Sequence, residues 1–215
     1  MTIPARPKIY HITHLRNIEQ LASSGYLWSD AKRLELGLDC RVVGMAEIKR
    51  RRLEEIEVKC HPGTTVGQYA PFYFCPRSIM LYLLYRGNHP DVDYTEGQRP
   101  IVHLQADLRA TIQWADNHGI QWAFSDRNAG AYLAGFFNTW EQLDRLNWDA
   151  ITATDFRDML VKEGKQAEFL MFEAFPWTLV EKVGVIDRRI ASQAASALAD
   201  ADYEPPIYVE RGWYY

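Results

Sequence analysis

The sequence predicts an α+β fold in a single domain. Its 215 residues match the length of one domain, or of one large domain with insertions. No repeat, low-complexity tract or linker divides the chain, so we expect one domain over residues 1–215. Hydrophobic residues make up 47% of the chain, which is enough to bury a core. The predicted strands are too far apart for a regular βαβ series, and this spacing favours the α+β class.

The first part of the chain predicts one strand and two helices. Residues 8–14 alternate β-branched or aromatic side chains with polar ones, as a strand does. Residues 17–24 carry apolar side chains at helical spacing and are followed by Gly25, which suits the end of a helix. The stretch 28–69 has no clear period, apart from a charged segment at 46–55 that predicts a short helix.

The remaining elements are predicted from apolar periodicity and from glycine and proline positions. In chain order they are a loop at 60–68, a strand at 70–74, a helix at 78–85, a loop at 87–100, a strand at 101–104, a helix at 110–117, a strand at 121–125, helices around 140–146 and 154–160, and strands at 167–172, 178–186 and 207–210.

Charge and cysteine content exclude several classes of protein. With 24 Lys and Arg against 28 Asp and Glu, the net charge is −4, which excludes a globally basic coat protein for nucleic acid but allows a local basic groove. Cys40, Cys60 and Cys75 are an odd number without a CxxC pair, so they argue against a disulfide scaffold and fit a reducing cytoplasm. The sequence has neither an apolar run of about 18 residues nor a signal-peptide pattern. We therefore expect a cytoplasmic protein without membrane contact.

No metal site is predicted. The sequence lacks the HExxH motif, and it also lacks the GxGxxG, GxxxxGK[ST] and GxSxG motifs of other enzyme classes. His11 and His14 are three residues apart in a predicted strand, a spacing that places them on opposite faces. Asp91, Asp93 and Glu96 lie in one loop, but the glycine and terminal glutamate of a calcium loop are missing.

A run of four cations, Lys49 to Arg52, is the first candidate functional cluster. Glu54 and Glu55 follow it, so the run can be a solvated helix face with internal ion pairs, as most surface charge runs are. It can also supply a fixed cation for a phosphate or pyrophosphate, which the guanidinium fork matches well.

The segment 165–172 is the second candidate cluster. Glu168 begins an apolar strand and can be an ordinary edge residue that points to solvent. Strand alternation, however, places Glu168 on the same face as Leu170 and Phe172. A carboxylate among large apolar side chains indicates a core or a cleft, where its charge must be used or neutralised.

The third candidate is the aromatic segment 69–82. A core strand that leads into a buried helix explains Phe72 and Phe74. Tyr73, Arg77 and Met80 can instead line a pocket for a nucleobase, by stacking and by contact with phosphate.

Taken together, these motifs resemble the DarT family of DNA ADP-ribosyltransferase toxins. The resemblance runs from about Pro7 to the last residue. The motifs that carry it occur in this order: Ile9-Tyr10-His11-Ile12-Thr13-His14 with Asn17, Ile48 with Arg51-Arg52, the segment Pro71 to Tyr82, the segment Lys165 to Leu170, and Trp213-Tyr214-Tyr215.

The resemblance implies the ADP-ribosyltransferase fold, in which a split pair of small, mainly antiparallel sheets with flanking helices surrounds an NAD cleft. Members of the family transfer ADP-ribose from NAD to a base in single-stranded DNA and release nicotinamide. The branch that this sequence resembles modifies thymine. These enzymes are bacterial toxins, countered by a macrodomain antitoxin, DarG. The expected co-substrate is thus NAD without a metal, and the expected partners are single-stranded DNA and such an antitoxin.

The resemblance also implies roles for individual residues. Arg52 and Glu168 match the catalytic arginine and glutamate, and Arg51 is the alternative if the register slips by one. The expected NAD-binding residues are His11, Ile12, Thr13, Asn17, Leu27 and Arg52. The expected DNA-binding residues are Tyr73, Arg77, Met80, Lys165 and Gln166. The stretch 144–166 would present the substrate to NAD.

The chemistry of the reaction fits these residue types. Cleavage of the bond between nicotinamide and ribose builds positive charge on the ribose, which the Glu168 carboxylate can stabilise. His11 would orient the ribose, and Arg52 would offset the pyrophosphate charge. The resemblance implies that either Glu168 or Arg52 deprotonates the thymine. Two alternatives stay open: the same fold acting on guanine, RNA or protein, and a catalytically silent module that binds single-stranded nucleic acid.

Overall fold

The structure, a computed structural model, describes residues 3–215, so Met1 and Thr2 of the expected domain lie outside the described part. The strands are β1 (Lys8–His14), β2 (Tyr26–Trp28), β3 (Tyr69–Tyr73), β4 (Ile101–Asp107), β5 (Trp122–Ser125), β6 (Phe136–Phe137), β7 (Glu168–Phe172), β8 (Ala174–Pro176), β9 (Lys182–Val185) and β10 (Ile207–Val209). The helices are α1 (Ile18–Ser24), α2 (Asp30–Glu35), α3 (Ala46–Glu54), α4 (Ile79–Arg86), α5 (Leu108–His118), α6 (Trp148–Thr152), α7 (Met159–Gly164) and α8 (Arg188–Leu198).

The main sheet consists of two four-stranded halves. Its strand order is β10-β9-β4-β1-β3-β7-β5-β6, and every pairing is antiparallel except that of β9 with β10. β1 pairs with β4 along its whole length, but it meets β3 at a single position, where Tyr10 lies opposite Tyr73. The two halves therefore separate along the line between β1 and β3. Strands β2 and β8 form a separate two-stranded sheet. The α+β class and the split arrangement of mainly antiparallel strands are confirmed.

Apolar side chains from the sheet and three helices form the main core. Phe72 of β3 and Phe169 of β7 lie side by side in register and are fully buried. Helices α1, α5 and α8 pack buried residues against the same core, with Ile18, Ile112 and Ile190 as examples. Because these helices cover the sheet, the line between β1 and β3 remains the place where a ligand can enter.

Several local predictions are confirmed and some are wrong. The strand at 8–14 has the predicted bounds, and Gly25 ends α1 in the left-handed conformation, with φ of 74°. The helix predicted at 154–160 is wrong, because the Asp158 side chain accepts hydrogen bonds from the next turn and so starts α7 at Met159. The strand predicted at 178–186 is shorter, since Trp177–Leu179 forms a 3-10 turn before β9 begins.

Three helices, α2, α6 and α8, escaped prediction. Helix α8 buries residues four apart, Ile190, Ala194 and Leu198, and Asp187 caps its first turn. Helix α2, capped by Ser29, lies in the stretch without clear period. None of the helices in residues 3–215 is long and apolar enough to cross a membrane.

Candidate active site

A cleft opens where the two halves of the sheet separate. His11 of β1, Tyr73 of β3 and Glu168 of β7 reach it from the sheet, and Arg52 reaches it from α3. Further residues that line the cleft include Ile12, Thr13, Asn17, Leu27, Trp28, Asp30, Arg33, Arg41, Lys49, Met80, Asn128 and Gln166. The cleft thus brings together side chains that are up to 157 positions apart, from His11 to Glu168.

Arg52 and Glu168 form a two-point ion pair at the centre of this cleft. The Nη2 and Nη1 atoms of Arg52 donate to the two carboxylate oxygens of Glu168, at 2.8 and 3.3 Å. The Ala129 backbone N–H donates to the Oε1 atom of the same carboxylate, at 2.9 Å. The Glu168 side chain is only 2% exposed and that of Arg52 14%. These donors fix the position of the carboxylate before any ligand is bound.

Arg52 keeps its charge despite burial. Burial works to lower the pKa of the Arg52 guanidinium, but the charge and hydrogen bonds of Glu168 outweigh it and raise that pKa. Burial also raises the pKa of the Tyr73 hydroxyl, and the neighbouring Glu168 carboxylate adds to the effect. Arg52 therefore remains a cation and Tyr73 a neutral phenol at physiological pH.

Helix α3 divides its four cations between two faces. Arg52 points into the cleft, and so does Lys49, whose ammonium group donates to both carboxylate oxygens of Asp30 at 2.7 and 2.9 Å. Arg51 instead faces solvent, where its Nε atom lies 3.6 Å from the carboxylate of Glu55. The arginine that lies opposite Glu168 is thus Arg52 and not the alternative Arg51.

His11 is held as a neutral imidazole across the split. Its Nδ1–H donates to the Pro71 carbonyl at 2.8 Å, which ties β1 to β3. Burial lowers the pKa of His11 to about 4, although the bond to Pro71 partly opposes this shift. Because Nδ1 donates, the Nε2 atom is left as an acceptor in the cleft.

Asn17 holds a loop that covers the cleft. Its side-chain oxygen accepts from the Arg41 backbone N–H at 2.8 Å, and its amide donates to the Arg41 carbonyl at 3.1 Å and to the Thr13 hydroxyl at 2.9 Å. The Arg41 guanidinium in turn pairs with Glu96 at 2.6 Å. Of the remaining expected NAD-binding residues, Ile12 and Leu27 contribute buried apolar walls.

The structure brings three further polar residues of α2 and β2 to the cleft, none of which the sequence indicated. Asp30 pairs with Lys49, and this ion pair lowers the pKa of the Asp30 carboxyl although burial opposes the shift. Arg33 donates through Nη1 to the Leu38 carbonyl at 2.9 Å. Its Nε–H and the indole N–H of Trp28 are buried without a partner in the described part of the chain. Their segment showed no period in the sequence, and nothing there marked them as site residues.

The expected DNA-binding residues divide into two groups. Tyr73, Met80 and Gln166 line the cleft. Arg77 lies outside its lining, with its guanidinium 4.4 Å from the centre of the Tyr215 ring. Lys165 is 3% exposed, and its ammonium group donates to the Ile151 carbonyl at 2.9 Å. The Lys165 side chain therefore anchors α6 to the start of β7, and its expected role in DNA binding stays a prediction.

Within residues 3–215, no group of three or more His, Cys, Asp or Glu side chains is arranged to hold a metal ion.

An antiparallel sheet that splits around a cleft, with an arginine–glutamate pair at the split, is the arrangement that the family resemblance implies for an ADP-ribosyltransferase. The comparisons with known proteins agree. The family model described as "ssDNA thymidine ADP-ribosyltransferase, DarT" matches residues 10–215. The chain belongs to the DarT family.

Similar proteins cover the whole chain. A DNA ADP-ribosyl transferase of Thermus aquaticus is 37% identical over 217 residues, which span 100% of this chain and 92% of the relative. A solved structure of Thermus sp. 2.9 DarT in complex with ADP-ribosylated ssDNA superimposes with a TM-score of 0.89 at 34% identity, covering 100% of this chain and 99% of that one. The same Thermus protein in complex with NAD+ gives a TM-score of 0.82 at 33% identity, covering 100% of both chains.

Proposed function

We propose that this protein, as one catalytic domain over residues 1–215, transfers ADP-ribose from NAD to thymine bases in single-stranded DNA and releases nicotinamide. The observation that carries the proposal is the buried Arg52–Glu168 pair at the split of the sheet. The family description, which names single-stranded DNA and thymidine, supports the acceptor. The relatives solved with NAD+ and with ADP-ribosylated ssDNA support the two substrates.

Glu168 stabilises the positive charge that develops on the ribose as the bond to nicotinamide breaks. A carboxylate that is fixed beforehand by Arg52 and by the Ala129 N–H needs little reorganisation when that charge appears. His11 supports the same step, because its free Nε2 can accept a hydrogen bond from a ribose hydroxyl and orient the sugar.

Glu168 is also the base that takes the thymine ring proton, and it does so as the ring nitrogen bonds to the ribose carbon, so that the carboxylate is still charged while nicotinamide leaves. Arg52 was the other candidate, but its raised pKa keeps the guanidinium protonated and removes it from this role. Arg52 instead positions the carboxylate through two hydrogen bonds. As the ring proton moves to Glu168, the ring nitrogen becomes a competent nucleophile for the ribose carbon.

Arg33 binds the diphosphate of NAD. The charge of Arg52 is already matched by Glu168 and that of Lys49 by Asp30. Arg33 is less compensated, with its nearest carboxylate oxygen, on Asp30, at 3.9 Å. The buried Nε–H of Arg33 and the indole N–H of Trp28 have no acceptor within residues 3–215, a cost that a ligand rich in acceptor oxygens removes.

Mass spectrometry of reaction mixtures tests the proposal. The purified protein is incubated with NAD and short single-stranded DNAs that contain or lack thymine, together with guanine-rich DNA, RNA and protein acceptors. We expect one added ADP-ribose, on thymine-containing DNA only. An adduct confined to another acceptor would support the same fold with a different target. Neither an adduct nor NAD turnover would favour a silent binding module and contradict the proposal.

We further propose that the protein is a cytoplasmic bacterial toxin that a macrodomain antitoxin restrains, as the family resemblance implies. Its substrates, NAD and DNA, occur together in that compartment, and its three cysteines are unpaired. Induced expression in a bacterial host should arrest growth for the natural sequence but not for Glu168→Gln. Co-expression of a macrodomain that hydrolyses the modification should restore growth, and arrest that persists in its presence would contradict the antitoxin proposal.

A further inference from the structure

A loop beside the catalytic pair carries the most exposed aromatic side chain of residues 3–215. This loop, residues 126–135, connects β5 to β6 and is called the tip loop below. Its tip presents Tyr132, which is 91% exposed, and Leu133, which is 71% exposed. Neighbouring large apolar side chains at such exposure on one loop indicate a contact surface rather than a packing element.

The tip loop is held firmly to the site. The N–H of Ala129 donates to Glu168, and Ala129 and Ala134 are buried at the two sides of the tip. The side chains of Asp126 and Asn128 accept backbone N–H groups of Gly135 and Gly130, at 3.0 and 2.8 Å. Tyr132 therefore has a set position relative to the carboxylate, although it makes no packing contact of its own in the core.

A shallow groove leads from Tyr132 towards the catalytic cleft. It lies between the tip loop and α7, and its lining residues are Arg127, Asn128, Ala131, Tyr132, Leu133, Glu163 and Gln166. Asn128 and Gln166 line both the groove and the cleft, so the two spaces are adjacent. A strand whose target base lies at Glu168 can thus lay an adjacent nucleotide along this groove.

The charges of the groove favour a base over a phosphate. Arg127 pairs with the carboxylates of Asp126 and Glu163, at 3.3 and 3.2 Å, so its cation is already compensated. Exposed apolar side chains extend this surface along α7, where Met159 and Leu160 are both 70% exposed. An aromatic ring with apolar neighbours and no free cation suits the flat face of a nucleobase.

We infer that the groove is a subsite for the nucleobase next to the target thymine, with that base stacked on Tyr132. This inference rests on the proposed function and adds to it a contact that holds the neighbouring nucleotide. Stacking of this kind tolerates any base but requires one to be present.

The test compares Tyr132→Ala with Tyr132→Phe and with Tyr208→Ala as a control. Tyr208 is 52% exposed but lies on β10, at the opposite edge of the sheet from β6. Transfer of ADP-ribose is followed on single-stranded oligonucleotides with one thymine, in which the 5′ or the 3′ neighbour carries a base or is abasic. Stabilisation by NAD in thermal unfolding checks that each variant still folds and binds NAD.

We expect Tyr132→Ala to lower kcat/KM on the intact oligonucleotides on the order of tenfold to a hundredfold. Tyr132→Phe keeps the stacking face, so it and Tyr208→Ala should stay within about twofold of the unchanged protein. An abasic site on one side of the thymine should lower kcat/KM of the unchanged protein as much as Tyr132→Ala does. The same abasic site should not lower kcat/KM of the Tyr132→Ala variant any further.

The inference is overturned if Tyr132→Ala transfers at the unchanged rate, or if the abasic penalty persists in that variant. Failure of the proposed function is a different result, because then the unchanged protein forms no adduct on any of the oligonucleotides.

Discussion

The two faces of helix α3 carry the same kind of side chain in two different environments. On the outer face, Arg50 contacts three carboxylates, those of Glu47, Glu54 and Glu55, and its side chain is 48% exposed. On the inner face, Arg52 contacts one carboxylate, that of Glu168, and is largely buried. More ion pairs on the outer face do not mean more free energy, because water and salt weaken each of them.

The difference shows that burial, rather than charge, separates the functional cation from the solvated cations among residues 49–52. The partner of Arg52 is 116 positions further along the chain, whereas the partners of Arg50 are within five. Removing one partner of a buried pair leaves the other charge buried and uncompensated. Removing one partner of an exposed pair leaves the other charge in contact with water. The following predictions test this contrast.

The largest expected effect is that of Arg52→Lys compared with Arg51→Lys. A lysine keeps the charge but cannot form the two parallel hydrogen bonds to Glu168, so kcat/KM for transfer should fall by about a hundredfold or more. Arg51 faces solvent, and its replacement should leave kcat/KM within about twofold. Initial rates on one oligonucleotide at fixed NAD measure both. Equal losses in the two variants would mean that the faces do not differ in function.

The next effect concerns stability at acid pH. His11, which is buried in the cleft beside the inner face of α3, contributes to it. Burial lowers the pKa of His11 to about 4, and also that of His103, which lies away from the cleft between Pro76 and Tyr214. The unfolded chain takes up these protons near pH 6.5 and the folded chain only near pH 4, so the free energy of unfolding falls as the pH falls between these values.

Urea unfolding at pH 7 and pH 4.5 measures this loss, which should be on the order of 2 kcal/mol for each of the two histidines. The variant His11→Gln should remove the part of the pH-dependent loss that is due to His11, while the losses due to His103 and to His14, whose pKa is also lowered by burial, remain. A pH dependence that is the same with and without His11 would contradict its placement as a buried neutral group.

A smaller effect is expected from Asp30→Asn compared with Glu47→Gln. The first change leaves Lys49 without its partner and loosens α2, which carries Arg33, against α3. The KM for NAD should rise on the order of tenfold with little change in kcat, because binding and not chemistry is affected. Glu47 lies on the outer face, and its replacement should change neither constant. A fall in kcat at constant KM for Asp30→Asn would overturn this assignment.

The smallest effect is expected from Arg50→Ala. Although it removes three ion pairs, all are exposed, and the free energy of unfolding should change far less than on loss of a buried pair. Thermal unfolding at low and high salt measures this change, and added salt should reduce it further. A loss as large as that of a buried pair would show that the outer face contributes to the fold.

Much of the fold follows from local pattern, whereas the site depends on distant contacts. Strand β1 and helix α3 were predicted from alternation and charge pattern, and both occur at the expected positions. Helix α8 could have been found from its apolar residues four apart and from Asp187 as a cap. Helix α2 is only six residues long and buries no residue, so it leaves no apolar stripe in the sequence.

Among the site residues, strand alternation alone marked Glu168 as a carboxylate on an apolar face. The choice of Arg52 came from family resemblance, because four consecutive cations cannot indicate which one faces inward. Lys165 shows what the local sequence cannot indicate. A lysine next to a functional strand suggests an exposed charge, but α6 covers it and the Ile151 carbonyl accepts its hydrogen bond. Burial by a separate element cannot be seen in the local sequence.

One measurement tests the central claim, that the buried carboxylate opposite Arg52 performs the transfer. Glu168→Gln removes the charge and keeps the shape, and Glu54→Gln makes the same change at an exposed position on α3. Both are incubated with NAD and a thymine-containing single strand, and the adduct is quantified by mass spectrometry. We predict a loss on the order of a hundredfold or more for Glu168→Gln and no measurable loss for Glu54→Gln. Full transfer by a folded Glu168→Gln variant would contradict the account.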